Sequence, residues 1–220
     1  MRKIFIILLL IAFPGIITGQ EKATSDFLFP DYQNALILYK DGQRFQAPVN
    51  FDLRAGHFLF IDAKDKEAKQ FAYPEKIAFL QIGSRNFLLS EGEAIELLQA
   101  KPLFQVAYSG NLRQAPKNLT YGGTTQTAAV DSYSGYSGSG VLSSQKNANN
   151  KVVVGINKRY KAKIGKKTKW FNNTKTFLKL LPEQQREEIK EYIETHKIDF
   201  DNVEQVFKLY EYVTNNLPKT

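Results

Sequence analysis

Gly135-Tyr136-Ser137-Gly138-Ser139 comes within one residue of the G-x-S-x-G turn that lifts a serine nucleophile off a strand. Serine stands where the last glycine of that motif belongs. No apolar strand precedes the run and no amphipathic helix follows it. The same stretch, Asp131 to Gly140, is no phosphate cradle either. Gly135, Gly138 and Gly140 are spaced in the reverse order of G-x-G-x-x-G, and no Lys-Ser or Lys-Thr follows as in a P-loop. Its surroundings are rich in Gly, Ser, Thr, Asn and Gln, so Ser134, Ser137 and Ser139 read as members of a flexible loop without catalytic duty.

Other chemistry has few carriers. The chain has no cysteine and only two histidines, His57 and His196. No thiol nucleophile, disulfide or cysteine-ligated metal is therefore available. His196 falls on an apolar helical stripe near a helix end, where an imidazole packs or caps a carbonyl. His57 follows Gly56 beside a turn. No H-x-x-x-H or D-x-D-x-D-G spacing supports a metal site, and no motif calls for a cofactor. Asp62 with Asp65 and Glu91 with Glu93 fall in polar turns, and Asp199 with Asp201 border a helix start, where a cap explains at least one of them. No catalytic residue is assigned.

The most distinctive chemistry is cationic. From Lys146 to Lys179 there are eleven Lys and Arg and no Asp or Glu, whereas Leu180 to Thr220 carries five basic and nine acidic residues. If Asn157 to Ile164 is a strand, Arg159, Lys161 and Lys163 project from one face and Tyr160, Ala162 and Ile164 from the other. A two-residue turn at Gly165-Lys166 sets Lys161 opposite Trp170, the only tryptophan, within reach of a cation–π contact. Arg159, Lys161, Lys163 and Trp170 are the candidate site, suited to an anionic glycan or lipid headgroup. The competing reading has the lysines keeping an edge strand soluble, with Trp170 packed against helices.

The elements that must position these residues are legible in the pattern. Residues 27–108 are written in the period of strands. Phe45, Ala47, Val49, Phe51 and Leu53 alternate with polar partners, and Asp41-Gly42 predicts a two-residue hairpin turn that sets Leu38 opposite Phe45 and Leu36 opposite Ala47. A second hairpin through Gly83-Ser84 sets Leu80 opposite Phe87. "HFLFIDA" and "KQFAY" read as strands, and "AIELLQAKPLFQVAY" as a hairpin or a short helix and strand. Residues 109–150 form a flexible low-complexity loop. Residues 151–220 supply the basic hairpin, which could belong to either part, and then helices. The helices are "TKTFLKLL", a second following Pro182, and a third capped by Asp201 with Glu204. The fold class is α+β: a small antiparallel β-sandwich or open barrel, the loop, the hairpin and a C-terminal helical segment.

The amino terminus sets the compartment. Arg2 and Lys3 precede ten apolar residues, Ile4 to Phe13, then Pro14 and Gly19: the layout of a signal peptide over residues 1–19. Ten apolar residues reach about 15 Å as a helix, half of a bilayer core, so no membrane anchor is expected after its removal. An exported chain without disulfides fits the periplasm or surface of a Gram-negative bacterium. The net charge of +8 is concentrated in the basic segment.

The opening "LYKDGQRF", the Ser/Gly/Tyr-rich middle, the Tyr-x-Lys-x-x-Gly hairpin and the tail "KTFLKLLPEQQREEIKEYIETHKIDFDN" resemble a group of uncharacterised exported proteins of the Bacteroidota. The resemblance implies export and the two-part layout, and it carries no activity. The expected function is a non-enzymatic binding or accessory protein of the cell envelope. Its expected partner is an anionic envelope component or another envelope protein; nucleic acid is not expected. The alternative is an exported hydrolase acting on an envelope polymer.

Overall fold

A computed structural model of the chain describes residues 25–115, 117–118, 124–125 and 151–216. The leader and the serine-glycine run Asp131–Gly140 lie outside them. The first eight strands follow one another closely. They are β1 (Gln33–Tyr39), β2 (Arg44–Asp52), β3 (His57–Ile61), β4 (Ala68–Gln70), β5 (Ile77–Ile82), β6 (Arg85–Ser90), β7 (Glu93–Gln99) and β8 (Phe104–Gln114). A two-stranded ribbon of β9 (Lys117–Asn118) and β10 (Thr124–Thr125) comes next. Then follow β11 (Lys151–Ile164), β12 (Lys167–Phe171) and the helices α1 (Thr174–Leu178), α2 (Arg186–Thr195) and α3 (Val203–Asn216).

The sandwich expected from the sequence is not formed. Ten strands make one open sheet in the order β12-β11-β8-β7-β6-β5-β1-β2-β3-β4. Every pairing in it is antiparallel. A half-apolar sheet still needs a second layer, and two devices supply it on the same face. Over β8, β11 and β12 the helices lie down: Phe104 meets Tyr210 at 4.7 Å between ring centroids, and Phe171 meets Phe177 at 4.9 Å. Over the other half the sheet curls onto itself, bringing Phe58 of β3 within 5.9 Å of Phe87 of β6. The roll closes where Gly92 N–H donates to Gly56 O at 3.1 Å. It is also why residue 110 is glycine: a Cβ there would lie 2.2 Å from the Leu53 carbonyl oxygen. No helix among the described residues is long and apolar enough to cross a membrane.

The first hairpin corrects a predicted register. Ile37 pairs with Phe45 and Ala35 with Ala47, so Ala35 and Ile37 enter the core in place of Leu36 and Leu38. The loop holds three residues, Lys40 to Gly42, because only Gly42 takes positive φ (+89°) while Asp41 instead accepts a hydrogen bond from Gln43 N–H at 3.0 Å. A type I turn closed by a glycine in the left-handed region is the three-residue solution to the same Asp-Gly pair. Phe45, expected in the core, is 41% exposed at the strand end, where it touches the edge of Phe60. The Gly83-Ser84 hairpin does place Leu80 opposite Phe87, both fully buried.

Two local repairs matter. The chain kinks between Phe29 and β1, and the buried Asn50 side chain bridges the gap. Its Oδ1 accepts from Phe29 N–H at 3.1 Å and its Nδ2 donates to Phe29 O at 2.9 Å. Farther along, Ser109–Gln114, expected to be loop, are strand because Lys151–Asn157 pair with them. The register of β11 shifts once, between Val153 and Gly155. A bulge of this kind exchanges odd and even positions, so that Val153 and then Tyr160, Ala162 and Ile164 all face the core.

The helices start as their caps dictate. Asn173 and Thr176 form a reciprocal capping box for α1. The cap of α3 is one residue later than expected: Asn202 Oδ1, not Asp201, accepts from Gln205 N–H at 3.2 Å. The Gln205 side chain turns back to accept from Asp199 N–H at 2.8 Å. Val206, Leu209, Tyr210 and Val213 are the buried stripe of α3.

Candidate functional site

The hairpin of β11 and β12 extends the sheet at one edge, and its register follows from the turn: Gly165 takes φ +57°, and Lys161 pairs with Trp170 and Lys163 with Thr168. Tyr160, Ala162, Ile164 and Phe171 face the helices and are buried. Arg159, Lys161, Lys163 and Trp170 alternate with them and share the face that no helix among the described residues covers. Trp170, half-buried, meets two cations of β11 there. Arg159 Cζ lies 4.3 Å and Lys161 Nζ 5.5 Å from its ring centroid.

One member of the set is not a free cation. Glu93 of β7 reaches across the small side chains of Ala107 and Ser109 and takes two hydrogen bonds from Arg159, Nε to Oε1 at 2.6 Å and Nη2 to Oε2 at 2.5 Å. The segment contains no acid of its own, and the sheet brings one to it. Among the described residues Lys161 and Lys163 have no ion-pair partner. The outer face is therefore an ordered Glu93–Arg159–Trp170 stack beside two available ammonium groups. On the helical side, Tyr160 Oη donates to Phe200 O at 2.7 Å and Lys158 Nζ to Asp201 O at 2.6 Å, fixing the hairpin to the segment between α2 and α3.

The other candidates separate. A cleft of about 650 Å³ opens at the seam of the rolled sheet, and His57, Glu75 and Glu91 line it with Phe58, Phe71 and Leu89. No hydrogen bond or ion pair joins His57 to either carboxylate among the described residues. His196 lies on α2's end, stacked on Tyr192 at 3.9 Å with Nδ1 2.9 Å from Tyr192 O, the carbonyl-capping role expected of it. Asp62 and Asp65 both accept from Lys69, at 2.8 and 2.5 Å, and those hydrogen bonds hold their carboxyls below the usual range. Asp199 accepts from Asp201 N–H at 2.8 Å, a turn contact. Among the described residues no three His, Asp or Glu converge as metal ligands.

A buried polar cluster escaped the sequence reading. Glu96 accepts from Arg85 Nε at 2.7 Å and Nη2 at 2.8 Å, and from Tyr108 Oη at 2.7 Å. The guanidinium lies over Phe87 at 4.9 Å and Phe29 at 5.2 Å. Burial first, and the Glu96 charge second, push the Tyr108 hydroxyl well above its ordinary value. The signal was present: Arg85 and Glu96 are charges at strand positions whose neighbours two residues away, Phe87 and Ala94, are core.

These features define a class of architecture, a rolled antiparallel sheet half covered by helices and bearing a cationic, aromatic hairpin at its edge. No family model, no curated protein and no solved structure matches the chain.

Proposed function

We propose that the chain is an exported, non-enzymatic binding protein of the Gram-negative cell envelope that contacts an anionic glycan or lipid headgroup through the outer face of β11–β12. The observation that carries this reading is the half-buried Trp170 on the face away from the helices, paired with Lys161, with Arg159 over its ring and Lys163 farther along the same strand. A rigid indole gives a sugar ring or an acyl-headgroup boundary a surface to rest on, and the two ammonium groups, without an ion-pair partner among the described residues, supply attraction. Export rests on the leader and on the resemblance to exported Bacteroidota proteins. The test is retention of the leaderless protein on isolated envelope material over a salt gradient. Lys161→Gln with Lys163→Gln lowers the eluting salt, and Lys64→Gln with Lys66→Gln, on the β3–β4 turn at the opposite edge of the sheet, leaves it near wild type. Equal effects of the two pairs would leave only net charge as the cause.

The hydrolase alternative has one observation in its favour, the shared lining of the seam cleft by His57, Glu75 and Glu91. Turnover of an envelope polymer that vanishes in His57→Ala would establish it in place of the binding reading.

A further inference from the structure

A second cationic feature lies on the helical side of the molecule, away from Trp170. Lys175 on α1 and Lys179, the residue that caps its end, stand one turn apart, and Arg186 and Lys190 stand one turn apart on α2. All four line one depression of about 370 Å³, floored by Leu178 and Thr174. No acid among the described residues lines it, although α2 carries Glu187, Glu188, Glu191 and Glu194 at its other positions. Among the described residues none of the four cations has an ion-pair partner.

The arrangement is partly prepared for a ligand. Arg186 Nε and Nη2 both donate to Leu181 O at 3.4 Å, which fixes the guanidinium plane and leaves its remaining N–H groups for another acceptor. Among the described residues, Lys175, Lys179 and Lys190 spend no side-chain donor on a protein acceptor. Like charges one helical turn apart work against the helix that bears them, and here two such pairs face each other. A bound anion removes that repulsion. The apolar floor gives a carboxylate no special advantage, whereas four cations around a compact hollow match a group that concentrates two or more negative charges on tetrahedral oxygens.

We propose that the hollow between α1 and α2 is a binding site for a phosphate-bearing anion, with Lys175, Lys179, Arg186 and Lys190 as its ligands. The site is separate from the outer face of the hairpin and stands or falls independently of it. Free phosphate compounds and lipid headgroups share the chemistry, and the two arms of the test distinguish them.

The leaderless protein is titrated with sodium pyrophosphate by calorimetry at low ionic strength, and in parallel is sedimented with phosphatidylglycerol vesicles. Three variants accompany wild type: K175Q/K179Q/K190Q, the charge-retaining K175R/K179R/K190R, and K64Q/K66Q on the β3–β4 turn, remote from both cationic faces. The Gln variant is expected to lose about tenfold or more in pyrophosphate affinity, the value of one charge-assisted contact or greater. The Arg variant and K64Q/K66Q stay near wild type. The substituted side chains are exposed and make no side-chain hydrogen bond, so thermal unfolding midpoints without ligand should coincide and certify folding. Loss of vesicle sedimentation in the Gln variant, with pyrophosphate unbound by wild type, supports the same site with a lipid headgroup as its source. Binding of neither probe, or equal loss in the Gln variant and K64Q/K66Q, would overturn the assignment.

Discussion

Replacing Glu96 by alanine should be among the most damaging single changes in the sheet. The carboxylate is 10% exposed and its partner Arg85 38% exposed, so the pair is mostly but not wholly removed from water. Deleting it strands a guanidinium among Phe29, Phe87 and the Tyr108 ring and leaves the Tyr108 hydroxyl without its acceptor. Breaking a buried pair from one side typically costs 3–5 kcal/mol. Because Arg85 keeps part of its surface in solvent, the lower end, about 3 kcal/mol, is expected. Tyr108→Phe removes one donor and leaves the Arg85–Glu96 bridge intact, for about 1 kcal/mol. The double variant R85M/E96L removes both charges together and should be much closer to wild type than Glu96→Ala. Urea unfolding followed by circular dichroism, extrapolated linearly to water, measures all three. A Glu96→Ala cost below about 1 kcal/mol, or an R85M/E96L cost equal to it, would refute the stranded-charge account.

Asn50→Ala should cost about 2–3 kcal/mol, since Phe29 N–H and C=O lose their buried partners, and amide exchange at Phe29 should accelerate in step. Unchanged exchange would show that the kink does not depend on the side chain. Phe45→Ala should cost under about 1.5 kcal/mol and Phe87→Ala about 3–5 kcal/mol, because one ring is 41% exposed and the other fully buried; chemical denaturation of both variants ranks them. Burial holds the Tyr108, Tyr160 and Tyr210 hydroxyls above their ordinary value of 10.0, with Tyr210 pushed up to about 12. Folding favours the protonated phenols, so their contribution is complete below pH 10 and declines as pH rises toward the folded values. Tyrosinate absorbance should therefore gain a step coincident with alkaline unfolding, above the smooth titration of exposed tyrosines such as Tyr73, and ionisation of all eleven in a still-folded protein would contradict it.

Most strands were legible because alternation reports which residues share a face. Alternation does not report which strand lies beside which. That β1 sits between β2 and β5 follows from the rolled sheet as a whole, and nothing in residues 33–39 announces it. Register was legible where the turn admits one loop length, as at Gly83 and Gly165. It was misjudged at Asp41-Gly42, a pair that serves two- and three-residue loops alike. With a side-chain period of two, the extra loop residue exchanged Leu36 and Leu38 for Ala35 and Ile37. In the hairpin, Lys161 and Trp170 could be paired from the sequence, because their separation is local. Glu93 could not, since it meets Arg159 across two strand pairings and 66 residues of chain. The cations of the helical hollow were countable, but their convergence depends on how α1 turns into α2.

The place of β1 in the sheet has a consequence for how the chain acquires its structure. Nearly every other neighbour in the sheet is also the next strand in sequence, joined by a short turn, and can zip up as it appears. β1 finds β2 at once through the Lys40–Gly42 loop, but its opposite edge must wait for Ile77–Ile82. As the chain emerges amino terminus first, β1 presents Ala35 and Ile37 on an open, apolar, hydrogen-bonding rim until β5 follows, the kind of unpaired edge that recruits other chains. The interval between those two strands is therefore when the nascent protein is most vulnerable to aggregation. Substitutions that lengthen it, in the β3–β4 turn or at Pro74–Lys76, should lower soluble yield while leaving the stability of the finished fold unchanged.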